Sequence, residues 1–413
     1  MQNNDNTAGF GLYIHWPFCR SKCPYCDFNS HVEGMVDHER WRTALLRELD
    51  HVADSVGRRA LTSIFFGGGT PSLMDPRTTE ALITRAIERF GAEPGIEITL
   101  EANPTSAERQ RLADFKSAGV NRLSLGVQAL DVQTLRFLGR EHGVDEALAA
   151  VDHAAGLFRR FSFDLIYARP DQTPDAWAAE LDRALDHAGG HLSVYQLTIE
   201  PGTRFFNLHQ RGQLVLPEDD LQADLFELTR EKLAAASLPA YEISNHAAEG
   251  EACRHNLVYW RAGDYAGIGP GAHGRLTIGD RRFATSTERM PRAWLERVET
   301  TGHAEQPREP IARDEQVVEM LLMGLRLEDG IDIRRLQHLS GRPLRETLNA
   351  EAIAAFEAEG WLHVDDRRLA ATAAGLARLN AILTALLDRP ASELPIEADT
   401  SLDERLIHRS MED

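Results

Sequence analysis

Six short apolar runs alternate with amphipathic stretches over the first half of the chain, and this alternation constrains the fold more than any other feature. The stretches are predicted helices, since one of them places Trp41, Leu45 and Leu49 at helical spacing. Strands that alternate with helices form a parallel sheet with right-handed crossovers. The predicted strands are 11–16, 61–69, 96–102, 121–128, 161–167 and 191–199.

Six such units predict an α/β fold, an open partial (β/α)6 barrel, because a closed barrel of this type needs eight. An open doubly wound sheet is the alternative. In both folds the chemistry lies at the carboxyl ends of the strands. The residues at or near those ends are Gly67–Thr70, Glu101, Gln128, Asp164 and Gln196.

The rest of the chain changes character twice. Residues 206–304 are less regular, and helices dominate from about 305 until a predicted hairpin that turns at Asp365–Asp366. Three helices and such a hairpin are typical of a winged-helix fold. The predicted domains are the barrel (1–205), an intermediate α+β region (206–304), a C-terminal winged-helix-like domain (305–390) and an acidic tail (391–413).

Charge and hydropathy exclude several functions. The 413 residues include 45 Lys and Arg against 64 Asp and Glu, a net charge of −19. Nucleic acids and anionic membrane surfaces select basic proteins, so neither is an expected partner. No apolar run reaches the roughly 18 residues of a membrane span. The first residues do not resemble a signal peptide, and we expect a cytoplasmic protein.

Three of the four cysteines lie within eight residues, in the spacing C-x3-C-x2-C. Cys19, Cys23 and Cys26 form this group, and Cys253 is distant in sequence. Clustered thiolates select soft metals, which include zinc, copper(I) and iron–sulfur clusters. A cubane held by three thiolates leaves one iron for another ligand. A zinc site completed by Cys253 or by a histidine is the alternative.

These motifs together resemble the radical SAM superfamily, and more closely its coproporphyrinogen-III-oxidase-like group. The resemblance runs in order from about residue 11 to 274, with a winged-helix tail beyond. The matching segments are LYIHWPFCRSKCPYCDF, FFGGGTPS, ITLEANP, LSLGVQ, LGREH, FDLIY, YQLTIEPGT, YEISNHA, HNLVYW and GIGPGAH.

The resemblance implies that Cys19, Cys23 and Cys26 ligate three irons of a [4Fe–4S] cluster. The fourth iron would bind S-adenosylmethionine (SAM) through its amino and carboxylate groups. A flavodoxin-like or ferredoxin-like protein would supply the electron that cleaves SAM to a 5′-deoxyadenosyl radical. Such a radical requires a barrel interior that excludes water.

The resemblance also implies a set of SAM contacts. Tyr13 matches a tyrosine that touches SAM, and the turn containing Gly68, Gly69 and Thr70 matches a motif that meets its amino group. Glycines permit close backbone approach, although a plain turn after a strand would read the same way.

Four polar residues match positions that line the same cavity. Glu101 suits a ribose diol, and Arg140 suits a carboxylate of the ligand or Asp164. Without the resemblance, Glu101 could be a charge near a helix start and Arg140 a surface arginine. Asp164 lies inside an apolar strand, where an acid needs a partner. Gln128 completes the set.

Three features favour the haem-chaperone branch of this group over its coproporphyrinogen III dehydrogenases. The dehydrogenases carry a further cysteine where this chain has Phe28, and a long extension before the cluster. The HNLVYW segment matches a motif of the haem-chaperone branch, which makes His255 a candidate axial haem ligand. Tyr259 and Trp260 could stack on the porphyrin. A structural histidine and a buried Cys253 are the alternatives.

The sequence therefore predicts a haem chaperone that holds a [4Fe–4S] cluster, SAM and haem. Its expected partners are haem and haem-accepting apoproteins, including membrane haem proteins. The alternative is an oxygen-independent coproporphyrinogen III dehydrogenase, and the oligomeric state stays open between monomer and homodimer. One loop departs from the family, because Ala168 and Asp171 in DLIYARPDQT replace usual glycines.

Overall fold

A computed structural model of the chain describes residues 8–388. They form two compact units. The first comprises the described residues up to Ala240 together with Ser244–Val258 and Gly263–Pro310. The second comprises Tyr241–Ile243, Tyr259–Ala262 and the described residues from Ile311 onward.

The six predicted strands exist and lie side by side in parallel, which confirms the α/β barrel architecture. The third begins four residues before its predicted start at 96. In chain order the six strands are Phe10–Trp16, Leu61–Gly68, Ala92–Ala102, Arg122–Gln128, Arg160–Tyr167 and His191–Gln196.

The first strand illustrates how the sheet divides its two faces. Side chains alternate along a strand, so Leu12 and Ile14 share one face and Tyr13 and His15 the other. The two aliphatic side chains are fully buried in the hydrophobic core. The opposite, more polar face lines the interior of the barrel.

A seventh parallel strand extends the barrel, and the sequence analysis did not identify it. Asp264–Ile268 pairs with the first strand, from Phe10 opposite Asp264 to Ile14 opposite Ile268. An antiparallel hairpin of His273–Ile278 and Arg281–Ser286 continues the sheet. Most of the region 206–304 therefore packs in the same unit as the barrel.

Short strands form the two edges of this sheet. Glu309–Pro310 pairs with the hairpin at one edge, and Asn245–Ala247 pairs with the sixth barrel strand at the other. Among the described residues the sheet has eleven strands in all.

Helices connect the strands, and side-chain caps fix where several of them begin. Asp37 accepts a hydrogen bond from the Arg40 amide, and Thr173 accepts one from the Ala176 amide, which satisfies first-turn donors. Up to Pro310 the helices are His38–Val56, Pro76–Phe90, Ser106–Arg109, Leu112–Ser117, Val132–Phe137, Val144–Leu157, Pro174–Leu185, Arg204–Gln210, Asp219–Ala235, Arg254–Trp260 and Pro291–Thr301.

Buried Glu48 of the first long helix fixes the glycine-rich turn that follows Asp264–Ile268. Its carboxylate accepts hydrogen bonds from the backbone amides of Gly269 (2.7 Å) and Ala304 (2.9 Å), and from the indole of Trp294. Desolvation raises the pKa of Glu48 to about 7. The side chain is 0% exposed, so these three donors are what makes its burial tolerable.

The second unit contains the helices and the hairpin that the sequence predicts beyond residue 305, and it also includes Tyr241–Ile243 and Tyr259–Ala262. A hairpin of Leu362–Val364 and Arg368–Ala371 turns at Asp365, whose amide bonds the Arg368 carbonyl, as expected. Ile331–Asp332 adds a third strand. From Ile311 onward the helices are Arg313–Gly324, Ile333–Ser340, Leu344–Thr347, Ala350–Ala358, Ala373–Leu376 and Leu379–Leu387.

Two further statements bound the fold. None of the helices between residues 8 and 388 combines the length and apolar character that crossing a membrane requires. The predicted acidic tail, 391–413, lies outside the described residues.

Candidate functional site

The loop that carries the three cysteines leaves the carboxyl end of the first strand. A two-residue parallel ladder between Phe18–Cys19 and His31–Val32 closes the loop at its base. The amide of Cys26 donates to the carbonyl of Cys23 (3.2 Å), which forms a tight turn. All three thiols are free and half-buried. The fold therefore gathers the three thiols in one small loop at the end where the sequence predicts the chemistry.

Each of the three sulfur atoms has a hydrogen-bonding partner from a different part of the fold. Sulfurs that ligate a cluster carry negative charge and are stabilised by such contacts. This donor set fits a [4Fe–4S] cluster. Burial raises the pKa of the Cys19 and Cys26 thiols in the metal-free chain, and iron ligation would deprotonate them. The contacts are Thr70 Oγ1 to Cys19 Sγ (3.5 Å), Arg140 Nη1 to Cys23 Sγ (3.4 Å) and Ser30 Oγ with Cys26 Sγ (3.7 Å).

The glycine turn after the second strand packs directly on the entry to the cysteine loop. The amide of Gly69 donates to the Trp16 carbonyl (2.7 Å), and the amide of Thr70 donates to the Phe18 carbonyl (2.9 Å). A Cβ at Gly69 would lie 2.8 Å from the Phe18 carbonyl oxygen. Gly68 has a φ of +111° and faces the ring of His15. Glycine is therefore required here by close packing, whatever ligand the turn also meets.

Arg140 joins the cysteine loop to two barrel strands. Besides Cys23, its guanidinium donates to Asn103 Oδ1 (2.5 Å) and the Gly126 carbonyl (2.8 Å). Its Nε is buried without a hydrogen-bond partner among the described residues. A buried guanidinium N–H without an acceptor is a suitable place for an anionic ligand group.

Gln128 ends the fourth strand in an unusual backbone conformation. Its φ is +72°, and the strand register shifts between Leu125 and Gln128. The bulge brings the Gln128 amide and the Arg140 guanidinium to the same glycine: Nε2 and Nη2 lie 3.1 Å and 3.4 Å from the position of a Cβ on Gly126. Strain of this kind is common at binding sites. Gln128 and Arg140 therefore lie close to the same backbone position, and their contact with a ligand stays a prediction.

Tyr13 connects the barrel interior to the cysteine loop through His15. The Tyr13 hydroxyl lies 3.0 Å from His15 Nδ1, and His15 Nε2 lies 2.9 Å from the Asn29 carbonyl. Asn29 in turn donates to the carbonyls of Pro270 and Arg289. Burial lowers the pKa of His15 to about 4 and raises that of Tyr13, so both groups are neutral at pH 7.

Glu101 and Asp164 are acidic groups of the barrel interior. Desolvation, followed by repulsion from Asp164, raises the pKa of Glu101 to about 8. Desolvation raises the pKa of Asp164 to about 6, and hydrogen bonds from Ser193 and Ser124 oppose this rise. Arg122 attracts both carboxylates. The pair offers acceptors, and one donor when a proton is shared, to a hydroxyl-bearing ligand.

His255 lies inside the barrel, at the amino-terminal end of the strands and away from the cysteine loop. Its side chain is 1% exposed, and its Nδ1 lies 2.8 Å from Ser63 Oγ. The ring stacks on Phe65 with centroids 5.0 Å apart and on Tyr13 at 6.4 Å. Burial lowers the pKa of His255 to about 3. In this conformation the predicted axial ligand is therefore buried and not exposed on the surface.

Cys253 is at the same end of the barrel and does not join the other three cysteines. Its thiol donates to Glu97 Oε1 (3.4 Å), a carboxylate that also pairs with Arg160 (2.7 Å). Burial raises the Cys253 pKa to about 12. A zinc site made from Cys253 and the loop cysteines is therefore inconsistent with this arrangement.

The loop that departs from the family keeps a glycine-like backbone. Ala168 has a φ of +54° and Asp171 a φ of +59°. Both lie in the left-handed region, where side chains are strained. The chain thus preserves the shape of a loop that usually has glycines while bearing the strain of their replacement.

The sequence analysis missed several residues of the site. His15 could have been found, because it is two residues from Tyr13 in a strand and so shares its face. Asn103, Tyr25 and Ser30 carried no comparable signal, since their contacts to Arg140 or Cys26 depend on the path of the cysteine loop.

The described site, a parallel barrel with three cysteines in one loop at its carboxyl end, is that of a radical SAM barrel. Residues 13–184 match the Radical SAM superfamily, and residues 311–378 match the HemN C-terminal domain. Membership implies a [4Fe–4S] cluster and SAM as cofactors.

Known proteins narrow the family further. "Radical S-adenosyl methionine domain-containing protein 1, mitochondrial" of Bos taurus is 38% identical over 385 residues, 92% of this chain and 87% of that protein. "Heme chaperone HemW" of Escherichia coli is 45% identical, over 69% of this chain and 75% of that protein. "Heme chaperone HemW" of Mycobacterium tuberculosis is 35% identical, over 92% of this chain and 95% of that protein.

A solved structure agrees with the fold. Coproporphyrinogen III oxidase (HemN) from Escherichia coli superposes with a TM-score of 0.76 at 22% identity, over 92% of this chain and 91% of that one. At 22% identity this similarity supports the fold only and gives no information about activity. The chain belongs to the radical SAM superfamily, in the group that contains HemN and HemW.

Proposed function

We propose that this protein is a haem chaperone that binds haem and delivers it to apoproteins, membrane haem proteins among them. The observation that carries the proposal is the residue after Asp27. Phe28 stands where the dehydrogenase branch has a further cysteine, and its side chain is 58% exposed. The loop thus offers the cluster three thiols only. The names of the HemW relatives support the same function.

Cys19, Cys23 and Cys26 would hold the cluster. The cluster, once bound, supplies an electron to the sulfonium of SAM. The chain's own residues bind and orient the ligand. Gly68, Gly69 and Thr70 would contact its amino end, and Tyr13 lies between this turn and the interior.

The remaining candidates divide the ligand between them. Arg140 and Gln128 converge at Gly126 and would receive its carboxylate. Glu101 and Asp164 would accept from its ribose hydroxyls, with Arg122 balancing their charge. A reactive radical requires a site that excludes water, and the barrel interior around these half-buried carboxyls would provide one.

His255 is the proposed axial haem ligand of the motif. It is neutral at pH 7, as an imidazole ligand must be. We further propose a flavodoxin-like or ferredoxin-like electron donor and a cytoplasmic location. The Bos taurus relative is named mitochondrial, and cell fractionation with an antibody to this chain tests the location.

Haem titration of the anaerobically reconstituted protein tests the function. We expect about four irons and four sulfides per chain before haem is added, and one haem retained through gel filtration, quantified as the pyridine haemochrome. Haem should then pass to an apoprotein such as apomyoglobin. Failure to retain haem, or conversion of coproporphyrinogen III to protoporphyrinogen IX with SAM and a reductant, would instead favour the dehydrogenase.

A further inference from the structure

The interior position of His255 is shaped by a glycine of the first strand. A Cβ at Gly11 would lie 3.1 Å from Cε1 and 3.2 Å from Nδ1 of the His255 ring. Even a methyl group here would press on the imidazole, so an alanine at this position requires the ring to shift by a few tenths of an ångström. The backbone of Gly11 itself has no positive φ, so the constraint comes from packing, chiefly against His255 and at 3.4 Å also against Ser63 Oγ.

The contacts of His255 in this position are specific. The ring hydrogen-bonds Ser63, and the His255 amide donates to Glu97 Oε1 (3.2 Å). Glu97 is held by the Arg160 guanidinium, which also binds the carbonyls of Glu251 and Ala252. The segment that carries the motif is therefore fastened to the amino-terminal end of the barrel by buried polar contacts, which are costly to break.

A chain of contacts runs from this place to the cysteine loop. The ring of His255 stacks with Tyr13, the Tyr13 hydroxyl meets His15, and His15 meets the backbone of Asn29. Asn29 is three residues beyond Cys26. Changes in the order of the cysteine loop would therefore reach Tyr13, and through it one face of the His255 ring.

We propose that His255 ligates haem only after its ring has left the buried position against Gly11 and Ser63. Order in the cysteine loop, transmitted through Tyr13, stabilises the buried position and so regulates haem capture. This rests on the proposed haem-binding function. The apparent affinity for haem is then the affinity of the released histidine multiplied by the fraction of molecules in which it is released. Ligands that order the cysteine loop favour the buried position of His255 and therefore weaken haem binding. Haem in turn weakens the binding of those ligands by the same factor.

Gly11→Ala tests the interior place directly. The added methyl group should disfavour the interior position, and haem should bind about tenfold more tightly. Gly156→Ala is the matched control, since a Cβ there meets nothing within 4 Å. Ser63→Ala removes only the hydrogen bond and should shift haem affinity in the same direction, which guards against a folding defect in Gly11→Ala.

Ferric haem is titrated into the reconstituted protein and followed by the EPR signal of the bound ferric iron, because an oxidised [4Fe–4S] cluster is EPR-silent. The same titration with saturating SAM should show weaker haem binding. The proposal is overturned if Gly11→Ala and Ser63→Ala both bind haem as the wild type does, if SAM leaves the affinity unchanged, or if His255→Ala retains full affinity. If the wild type itself binds no haem, the proposed function fails instead.

Discussion

The guanidinium of Arg140 donates a hydrogen bond to the sulfur of Cys23 across 3.4 Å. The same side chain reaches Asn103 and the carbonyl of Gly126. This half-buried cation therefore fixes the middle cysteine of the loop to the barrel. It would also neutralise part of the charge that cluster ligation would place on that cysteine.

Arg140→Gln should make the cluster harder to reduce. Loss of a hydrogen bond and a positive charge next to a ligating sulfur lowers the reduction potential. The same loss should lower the free energy of unfolding of the cluster-containing protein by about 1.5–3 kcal/mol, and with it the melting temperature. An EPR redox titration and a melting curve measure the two effects. Arg136→Gln changes an exposed arginine of the adjacent helix and should leave both values unchanged; a shared effect would contradict the assignment.

Cys26→Ala and Cys253→Ala should behave differently although each removes one thiol. Cys26 is in the loop and Cys253 is buried beside Glu97 at the other end of the barrel. We expect reconstituted Cys26→Ala to hold well under four irons per chain and to lose the broad visible absorption. Cys253→Ala should keep both. Equal iron in the two variants would mean that the loop cysteines do not form the site.

The stability of the metal-free chain should fall as the pH rises from about 4.5 to about 8, through Glu101. Burial raises its pKa from 4.5 to about 8, so in this window the folded chain holds a proton that the unfolded chain releases. The unfolding free energy then decreases with pH, by at most about 1.4 kcal/mol per unit from one group.

Glu101→Gln removes this contribution. Its stability relative to the wild type should therefore increase with pH across the window, as measured by urea unfolding at pH 5, 6.5 and 8. Glu93→Gln, on an exposed position of the same strand, should show a constant difference. A constant difference for Glu101→Gln as well would mean that its carboxyl is not desolvated.

Asp171→Gly should stabilise the protein by about 1 kcal/mol, because it relieves a left-handed backbone conformation at an exposed position. Asp175→Gly, four residues later in the first turn of the helix Pro174–Leu185, should have the opposite effect, since it loses helix propensity and a favourable charge. Urea unfolding compares the two. Destabilisation by Asp171→Gly would show that the aspartate makes a compensating contact.

Glu48→Ala should be among the most damaging substitutions in the first unit. It leaves the amides of Gly269 and Ala304 and the Trp294 indole without their acceptor in the core. We expect a loss of about 3–5 kcal/mol in unfolding free energy. Glu39→Ala, exposed on the same helix, should change it by less than about 0.5 kcal/mol. Similar stabilities would contradict the role given to Glu48.

Local patterns were sufficient to predict most of the barrel but not its seventh strand. The six strands and their helices are contiguous in sequence, so period and apolar content identify them. Asp264–Ile268 contains a glycine and follows no amphipathic crossover helix, and its partner strand lies about 250 residues earlier. Pairing over such a distance leaves no periodic signature in the chain.

The site divides in the same way. The spacing of Cys19, Cys23 and Cys26 allowed them to be predicted as cluster ligands, because one loop supplies all three. The burial of His255 was not readable, since it depends on the space left by Gly11 and on the hydroxyl of Ser63. The position of a functional group often depends on residues that are distant in sequence, and these residues can be identified only in the folded structure.

The ends of the eleven-stranded sheet have a consequence for handling at high concentration. One outer strand is only Asn245–Ala247, and the other is Glu309–Pro310, whose proline has no N–H to donate. Neither offers a long row of free backbone groups on which a neighbouring molecule could nucleate cross-β growth. A concentrated preparation should therefore resist fibril formation for as long as these two terminating strands stay in place.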